Sequence, residues 1–232
     1  MQLSLQLDDT CLLQEVRDRL LTLYGPQRDA ERHDPLSQLI KAIMSSCTVD
    51  AISQAEFCKL HAMVSWEVLP DSKPATLAAI FPAVTRPAEK AAHIVGATGA
   101  IRAKRGSLDL DFLKDWPVNV GLDWLDRLPG VGSKIAAVVL NFSTLRKPAF
   151  VVDRHILRWS KRAELVPIKA DYDRGFRLLS RILPVHWDAD DLYELHWLLK
   201  MHGQSTCTYD RPACGRCPLK TCCPYGIRVC GR

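Results

Sequence analysis

The chain has 232 residues, of which 47% are hydrophobic, and a formal net charge of +5 at pH 7. This length can bury a core in one large or two small domains. The sequence contains no stretch that approaches the roughly 18 uninterrupted apolar residues of a membrane-spanning helix. The start MQLSLQLDDTCLLQEVRDRL has acidic residues where a signal peptide would carry a basic region and an apolar core, so we expect an intracellular protein. The slight basic excess permits a polyanionic partner without requiring one.

Apolar residues recur at helical spacing along most of the chain. In the N-terminal quarter they are Leu12, Leu13, Val16, Leu20 and Leu23, then Leu36, Leu39, Ile40 and Ile43, and less regularly Ile52, Ala55, Phe57 and Leu60. Further helices are predicted near 75–81, 88–98, 109–116, 122–128, 133–145, 153–163, 171–183 and 188–202. Strand-like alternation is nearly absent, which predicts an all-α fold.

Several predicted helices begin at a residue whose side-chain oxygen can cap free backbone N–H groups. These residues are Asp50, Ser133, Asp153 and Asp188. Turns that contain Pro or Gly at 25–35, 64–74 and 146–148 are the candidate domain boundaries.

The sequence LPGVGSKIAAVVLNF, residues 128–142, predicts a helix-hairpin-helix. Gly130 and Gly132 permit a tight turn and the close approach of another backbone, and Ser133 begins the second helix. The N–H groups at that helix start can bind a phosphate. The helix dipole disfavours an ammonium at Lys134 and favours its free amine, which is a nucleophile. The alternative is that Lys134 has no catalytic role and only contacts a DNA phosphate.

The segment AFVVDRHILR places Asp153 at a helix start, 19 positions after Lys134. A carboxylate there could assist the amine and stabilise positive charge on a sugar that is losing its base. Asp153 could also be an ordinary helix cap, or serve both purposes. A histidine such as His155 is more often structural than catalytic.

The nine cysteines divide into two groups by their position in the chain. Cys11, Cys47 and Cys58 have apolar neighbours, and we expect them to pack as small hydrophobic residues. The other six crowd into the last 26 residues, which in a reducing compartment indicates metal rather than disulfides. They are Cys207, Cys214, Cys217, Cys222, Cys223 and Cys230.

LPGVGSKIAAVVLNF, VVDRHILR and HGQSTC together resemble the endonuclease III branch of the helix-hairpin-helix DNA glycosylases, and the similarity extends from about residue 35 to 223. The resemblance implies two all-α domains with a DNA-binding cleft between them. A six-helix domain would span 35–147, and the N-terminal segment 1–34 would pack with the C-terminal domain 148–232. The resemblance also implies that Lys134 is the nucleophile, as in bifunctional members of the family, and that Asp153 is the assisting carboxylate.

By the same resemblance, Cys207, Cys214, Cys217 and Cys223 hold a 4Fe-4S cluster, because their intervals of six, two and five residues match the family. With Cys222 in place of Cys223 as the fourth ligand, the last interval would be four residues. A structural zinc, with His196 or His202 as a further ligand, is the alternative. Arg211, Arg216 and Lys220 in the same loop are candidate phosphate contacts or ordinary surface charges.

Two positions depart from the family pattern. Cys47 replaces a glutamine in SSCTVD that helps to fill the space left by an extruded base, while Ser45 and Asp50 match. Alignment of TRPAEKAAHI on Lys90 puts Arg86 where the family has a wedging leucine. Both residues are therefore candidate DNA contacts, and they bear on which lesion is excised.

The resulting hypothesis is a bifunctional DNA glycosylase and abasic-site lyase of base-excision repair. We expect a monomer, associated with the nucleoid, that acts on double-stranded DNA with damaged bases, normally oxidised pyrimidines, or with abasic sites. The alternatives are a glycosylase of the same fold with another lesion specificity, a DNA-binding iron–sulfur protein without turnover, and a zinc-stabilised helical scaffold.

Overall fold

A computed structural model describes residues 2–27 and 32–231, and the part of the chain that it describes contains helices and turns but no strand. The all-α prediction is therefore confirmed. Within the same residues, no helix has both the length and the apolar character needed to span a membrane. The chain divides into two units, one of Met1–Ala30 with Pro148–Arg232 and one of Glu31–Lys147.

The unit Glu31–Lys147 contains six α-helices among its described residues. They are α2 (Pro35–Ser45), α3 (Asp50–Met63), α4 (Pro74–Ala78), α5 (Pro87–Arg105), α6 (Val118–Asp126) and α7 (Ser133–Phe142). Helices α2 and α7 pack closely against each other, because each has a nearly continuous buried face of aliphatic residues. The segment 109–116, predicted to be helical, contains only a short 3-10 helix, Asp111–Lys114.

The other unit joins the N-terminal helix to the C-terminal third of the chain. Its helices are α1 (Gln2–Tyr24), α8 (Arg154–Arg162), α9 (Tyr172–Ile182), α10 (Ala189–Ser205) and α11 (Pro224–Cys230), with a 3-10 helix at Cys214–Arg216. Leu13, Val16 and Leu20 of α1 enter the same core as residues of α8, α9 and α10. Arg17 adds a paired contact, because its guanidinium lies 2.7 Å from a carboxylate oxygen of both Asp191 and Glu194.

The predicted helix caps are confirmed where the acidic residue lies just before the first helical residue. Asp153 Oδ1 accepts the N–H groups of His155 and Ile156 at 2.8 and 2.9 Å, and Asp188 forms a capping box with Asp191. For α3 and α7 the prediction is one residue too late, because Val49 and Gly132 hold the N-cap positions and neither provides a side-chain cap. Asp50 and Ser133 are instead the first helical residues.

The prediction that Cys11, Cys47 and Cys58 pack as small hydrophobic residues is wrong, because all three are exposed. Cys11 lies outside the buried face of α1, and Cys47 lies in the turn between α2 and α3. Cys58 lies on the solvent side of α3, where its Sγ accepts a hydrogen bond of 3.2 Å from Gln54 Nε2. Apolar neighbours in sequence do not determine which face of a helix a residue occupies.

Candidate functional site

The turn between α6 and α7 forms the predicted hairpin. Gly130 has a φ of +72°, and a Cβ atom there would lie 2.2 Å from Cγ of His93 on α5. Only glycine meets both requirements. Gly132, the N-cap of α7, offers no side-chain cap. A helix N-terminus of this kind, directly after a tight turn, is suited to an anion.

Lys134 is the second residue of α7 and is partly exposed, whereas the residues that follow it, Ile135–Asn141, are buried. Its side chain therefore leaves the protein core at the hairpin rather than entering it. The positive charge of Lys134 also contributes to the lowered pKa of Lys90, so the two ammonium groups lie near each other in the same unit.

Lys90, in α5, is a buried lysine that is 3% exposed. Its Nζ donates hydrogen bonds of 2.7 Å to the Met44 carbonyl and to Thr48 Oγ1. The pKa of Lys90 is lowered to about 8, mainly by burial and to a smaller extent by the charges of Arg86 and Lys134, while Cys47 and Glu89 oppose the shift. Sequence reasoning used Lys90 only as an alignment point, because a backbone carbonyl partner leaves no signal in the sequence.

Cys47 and Arg86, the two departures from the family pattern, lie on loops joined by Thr85. The Thr85 hydroxyl donates to the Cys47 carbonyl at 2.9 Å, and the Thr85 N–H donates to Thr48 Oγ1 at 3.1 Å. Both Cys47 and Arg86 have a positive φ, of 55° and 54°, which costs energy for residues other than glycine. Neighbouring loops thus present the two exposed side chains on one surface.

Arg86 is 58% exposed, and its Nη1 lies 3.2 Å from Glu89 Oε2. An ion pair this exposed contributes little to stability. The guanidinium can therefore exchange the Glu89 carboxylate for another acceptor at small cost.

Asp153 begins α8 in the other unit and is 5% exposed. The neighbouring His155 is also buried, with Arg158 Nη2 3.1 Å from its Nδ1, and burial lowers the pKa of His155 although the Asp153 charge opposes this. A Cβ on Gly203 would lie 2.6 Å from Cβ of His155, so the glycine of HGQSTC allows α10 to pack against α8.

The cysteines of the C-terminal loop divide by environment. Cys207, Cys214, Cys217 and Cys223 line one cavity together with Trp159, Arg162 and His202. Burial raises the pKa of the Cys217 thiol to about 11 and also raises those of Cys214 and Cys223. Arg162 Nη1 donates to Cys207 Sγ at 3.1 Å, and His202 Nε2 lies 3.6 Å from Cys217 Sγ. The four cysteines therefore share one cavity.

The remaining candidate ligands lie elsewhere. Cys222 does not line the cavity and packs on the hydrophobic core, Cys230 is exposed, and His196 Nδ1 is 2.8 Å from the Val151 carbonyl oxygen. Within residues 2–27 and 32–231, no three His, Cys, Asp or Glu side chains converge on a point where a single metal ion could bind.

The three basic residues of the cysteine loop are exposed. Lys220 also lines the cavity, and its Nζ donates to the Gly215 carbonyl at 3.4 Å. Arg211 and Arg216 project from the same loop. Together the three charges give this loop a positive surface.

The structure thus brings Gly130, Gly132, Ser133, Lys134, Cys47 and Arg86 into one unit. Asp153, the four cavity cysteines and the basic loop belong to the other unit. The predicted nucleophile Lys134 therefore lies in one unit, and the predicted assisting carboxylate and cluster ligands lie in the other.

Comparison with known proteins gives several relatives that are endonuclease III proteins. Endonuclease III of Sulfolobus acidocaldarius is 27% identical over 194 residues, which cover 81% of this chain and 80% of that protein. Endonuclease III of Escherichia coli K12 is 36% identical over 105 residues, 45% of this chain. That match spans only about half of the relative, 47% of its length. No family model matches the chain.

Solved structures share the fold at low sequence identity. A trapped covalent endonuclease III–DNA intermediate superposes with a TM-score of 0.75 at 22% identity, over 92% of this chain and 95% of that one. A thermostable thymine-DNA glycosylase gives 0.73 at 18% identity, over 95% and 97%. The fold and the hairpin define an all-α helix-hairpin-helix protein of two units. In sequence the chain is similar to endonuclease III proteins, and it shares the fold of the solved endonuclease III and thymine-DNA glycosylase structures.

Proposed function

We propose that the protein is a bifunctional DNA glycosylase and abasic-site lyase of base-excision repair. The observation that carries this proposal is the position of Lys134, a partly exposed amine in the first turn of α7, directly after a hairpin whose N–H groups can hold a phosphate. A nucleophile beside a phosphate anchor suits attack on the adjacent deoxyribose. The similarity to endonuclease III proteins supports the same assignment.

In this proposal the Lys134 amine attacks C1′ of the damaged nucleotide, and the bond between C1′ and the base breaks with its electron pair leaving on the base. Loss of a proton from nitrogen and opening of the sugar ring give a Schiff base. Removal of a C2′ proton then breaks the bond to the 3′ oxygen by β-elimination, which cleaves the strand. Water finally releases Lys134 from the shortened strand.

We assign Asp153 the role of stabilising positive charge on the sugar as its base departs. Its support is chemical: a buried carboxylate held by two backbone N–H groups has a fixed orientation, and a preorganised charge needs no rearrangement during the reaction. The helix cap and the electrostatic role are compatible, since the cap uses Oδ1.

We further propose that Cys207, Cys214, Cys217 and Cys223 hold a 4Fe-4S cluster. The observation that supports it is that the four cysteines line one cavity. The donor set of four thiolates is the one such a cluster requires. Its proposed contribution is to hold the loop that carries Arg211, Arg216 and Lys220 in one conformation for contact with DNA phosphates.

The proposed substrate is double-stranded DNA with a damaged base or an abasic site, bound by a monomer in the nucleoid. Oxidised pyrimidines are the expected lesions, and the exposed Cys47 and Arg86 are the residues expected to alter that range.

Borohydride trapping on an abasic-site duplex tests the function. Borohydride reduces a Schiff base to a stable amine, so the native protein should become cross-linked to the duplex. Lys134→Ala should give no cross-link while its affinity for the duplex stays within about threefold of native. A matched control, Lys161→Ala, removes a lysine from the other unit and should trap normally. Normal trapping by Lys134→Ala would refute the nucleophile, and absence of trapping by the native protein would favour DNA binding without turnover.

A further inference from the structure

The cavity of the four cysteines also contains the indole of Trp159. This side chain is 2% exposed, lines the cavity, and its Nε1 has no hydrogen-bond partner among the described residues. A buried N–H group without an acceptor is destabilising, so such groups are rare and demand an explanation.

Two other residues that line the cavity already place nitrogen atoms near cysteine sulfur. Arg162, three residues after Trp159 on α8, donates to Cys207 Sγ at 3.1 Å. His202 on α10 has Nε2 3.6 Å from Cys217 Sγ, and its Nδ1 is likewise buried without a partner among the described residues. The walls of this cavity are thus rich in donors, and its cysteines offer sulfur as an acceptor.

Trp159 contrasts with Trp187 in the same core. Trp187 is 6% exposed, and its Nε1 donates to Gln14 Oε1 at 3.1 Å. The protein therefore supplies an acceptor for the indole of Trp187 but, among the described residues, none for that of Trp159, which lines the cysteine cavity.

We propose that the indole N–H of Trp159 donates a hydrogen bond to a sulfur of the iron–sulfur cluster and raises the reduction potential of that cluster. This inference rests on the cluster assigned under the proposed function. When the cluster takes up one electron from an external donor, its sulfur atoms become more negative, and a hydrogen bond to sulfur stabilises that reduced state more than the oxidised one. Trp159 is a positioning and tuning residue, with no contact to DNA required.

The experiment compares the native holoprotein with Trp159→Phe and Trp187→Phe. Each variant replaces a buried indole with a ring that lacks an N–H group. Iron and sulfide content are measured first, and the reduction potential is then determined by voltammetry. We expect full iron content in both variants and a lower potential for Trp159→Phe alone. A Trp159→Phe protein with full iron and the native potential would overturn the inference while leaving the cluster intact.

A second measurement needs no variant. The native protein, grown with ¹⁵N-indole tryptophan and reduced to its paramagnetic state, should show a ¹⁵N coupling and an exchangeable-proton coupling in pulsed EPR. Absence of both couplings would overturn the hydrogen bond even if Trp159→Phe failed to fold. A native protein without iron and sulfide would instead overturn the proposed cluster, and this inference with it.

Discussion

The ammonium of Lys90 donates a hydrogen bond of 2.7 Å to Thr48 Oγ1 and holds the loop that carries Cys47. The same ammonium binds the Met44 carbonyl at the end of α2. One buried charge therefore fixes the geometry of the surface on which Cys47 and Arg86 lie.

This buried charge predicts a pH dependence of stability. The pKa of Lys90 is about 8 in the folded protein against 10.5 for an ordinary lysine, so between these values the unfolded chain binds more protons. Protonation of the buried Lys90 therefore lowers the free energy of unfolding. This loss of stability is absent above pH 10.5 and is complete once the pH has fallen below 8. Relative to Lys90→Met, the native free energy of unfolding should rise between pH 8 and 10, measured by urea denaturation. Parallel curves for the two proteins would contradict the prediction.

Gly130→Ala should destabilise the hairpin by at least about 2 kcal/mol, because it combines a positive φ with a clash against His93. Thermal denaturation and affinity for duplex DNA are the measurements. Gly99→Ala is a matched control in α5, where a Cβ meets nothing within 4 Å, and it should be neutral or stabilising. Equal stability of the two variants would show that the turn relaxes without cost.

Asp153→Asn separates the cap from the chemistry. The amide oxygen can still accept the two N–H groups that Asp153 Oδ1 accepts, so stability should change by less than about 1 kcal/mol. The negative charge is lost, and single-turnover base release should slow by about 100-fold or more. Base release at the native rate would leave Asp153 with a capping role alone.

Adjacent cysteines provide a matched pair for the cluster. Cys223→Ala should lose iron and soluble protein together, because Cys223 lines the cavity. Cys222→Ala should retain both, since Cys222 packs on the hydrophobic core instead. Iron content and visible absorbance of the purified variants decide between them, and the reverse pattern would make Cys222 the fourth ligand.

Arg86→Leu tests whether the guanidinium enters the gap left by an extruded nucleotide or contacts a phosphate. Filling the gap would let Arg86 hydrogen-bond the orphaned base, with guanine preferred, so the variant should discriminate less among opposite bases. Excision is measured against all four opposite bases. An even loss of affinity with a weaker salt dependence would assign Arg86 to a phosphate. Glu89→Gln releases the ion pair of Arg86 and should leave the preference unchanged.

The sequence by itself determined the features that depend on neighbours along the chain. The hairpin at 128–142 follows from two glycines and a helical pattern, and the cap at Asp153 follows from hydrogen bonds to residues two and three positions later. Spacing likewise singled out the terminal cysteines. These features are local, and local backbone geometry fixes them.

Only the tertiary structure decided the features that depend on which face of a helix meets the core. The exposure of Cys11, Cys47 and Cys58, the burial of Lys90 against the Met44 carbonyl, and the indole of Trp159 in the cysteine cavity all arise from contacts between distant segments. A sequence pattern records periodicity but not the partner that each face will find, because packing against distant segments decides burial.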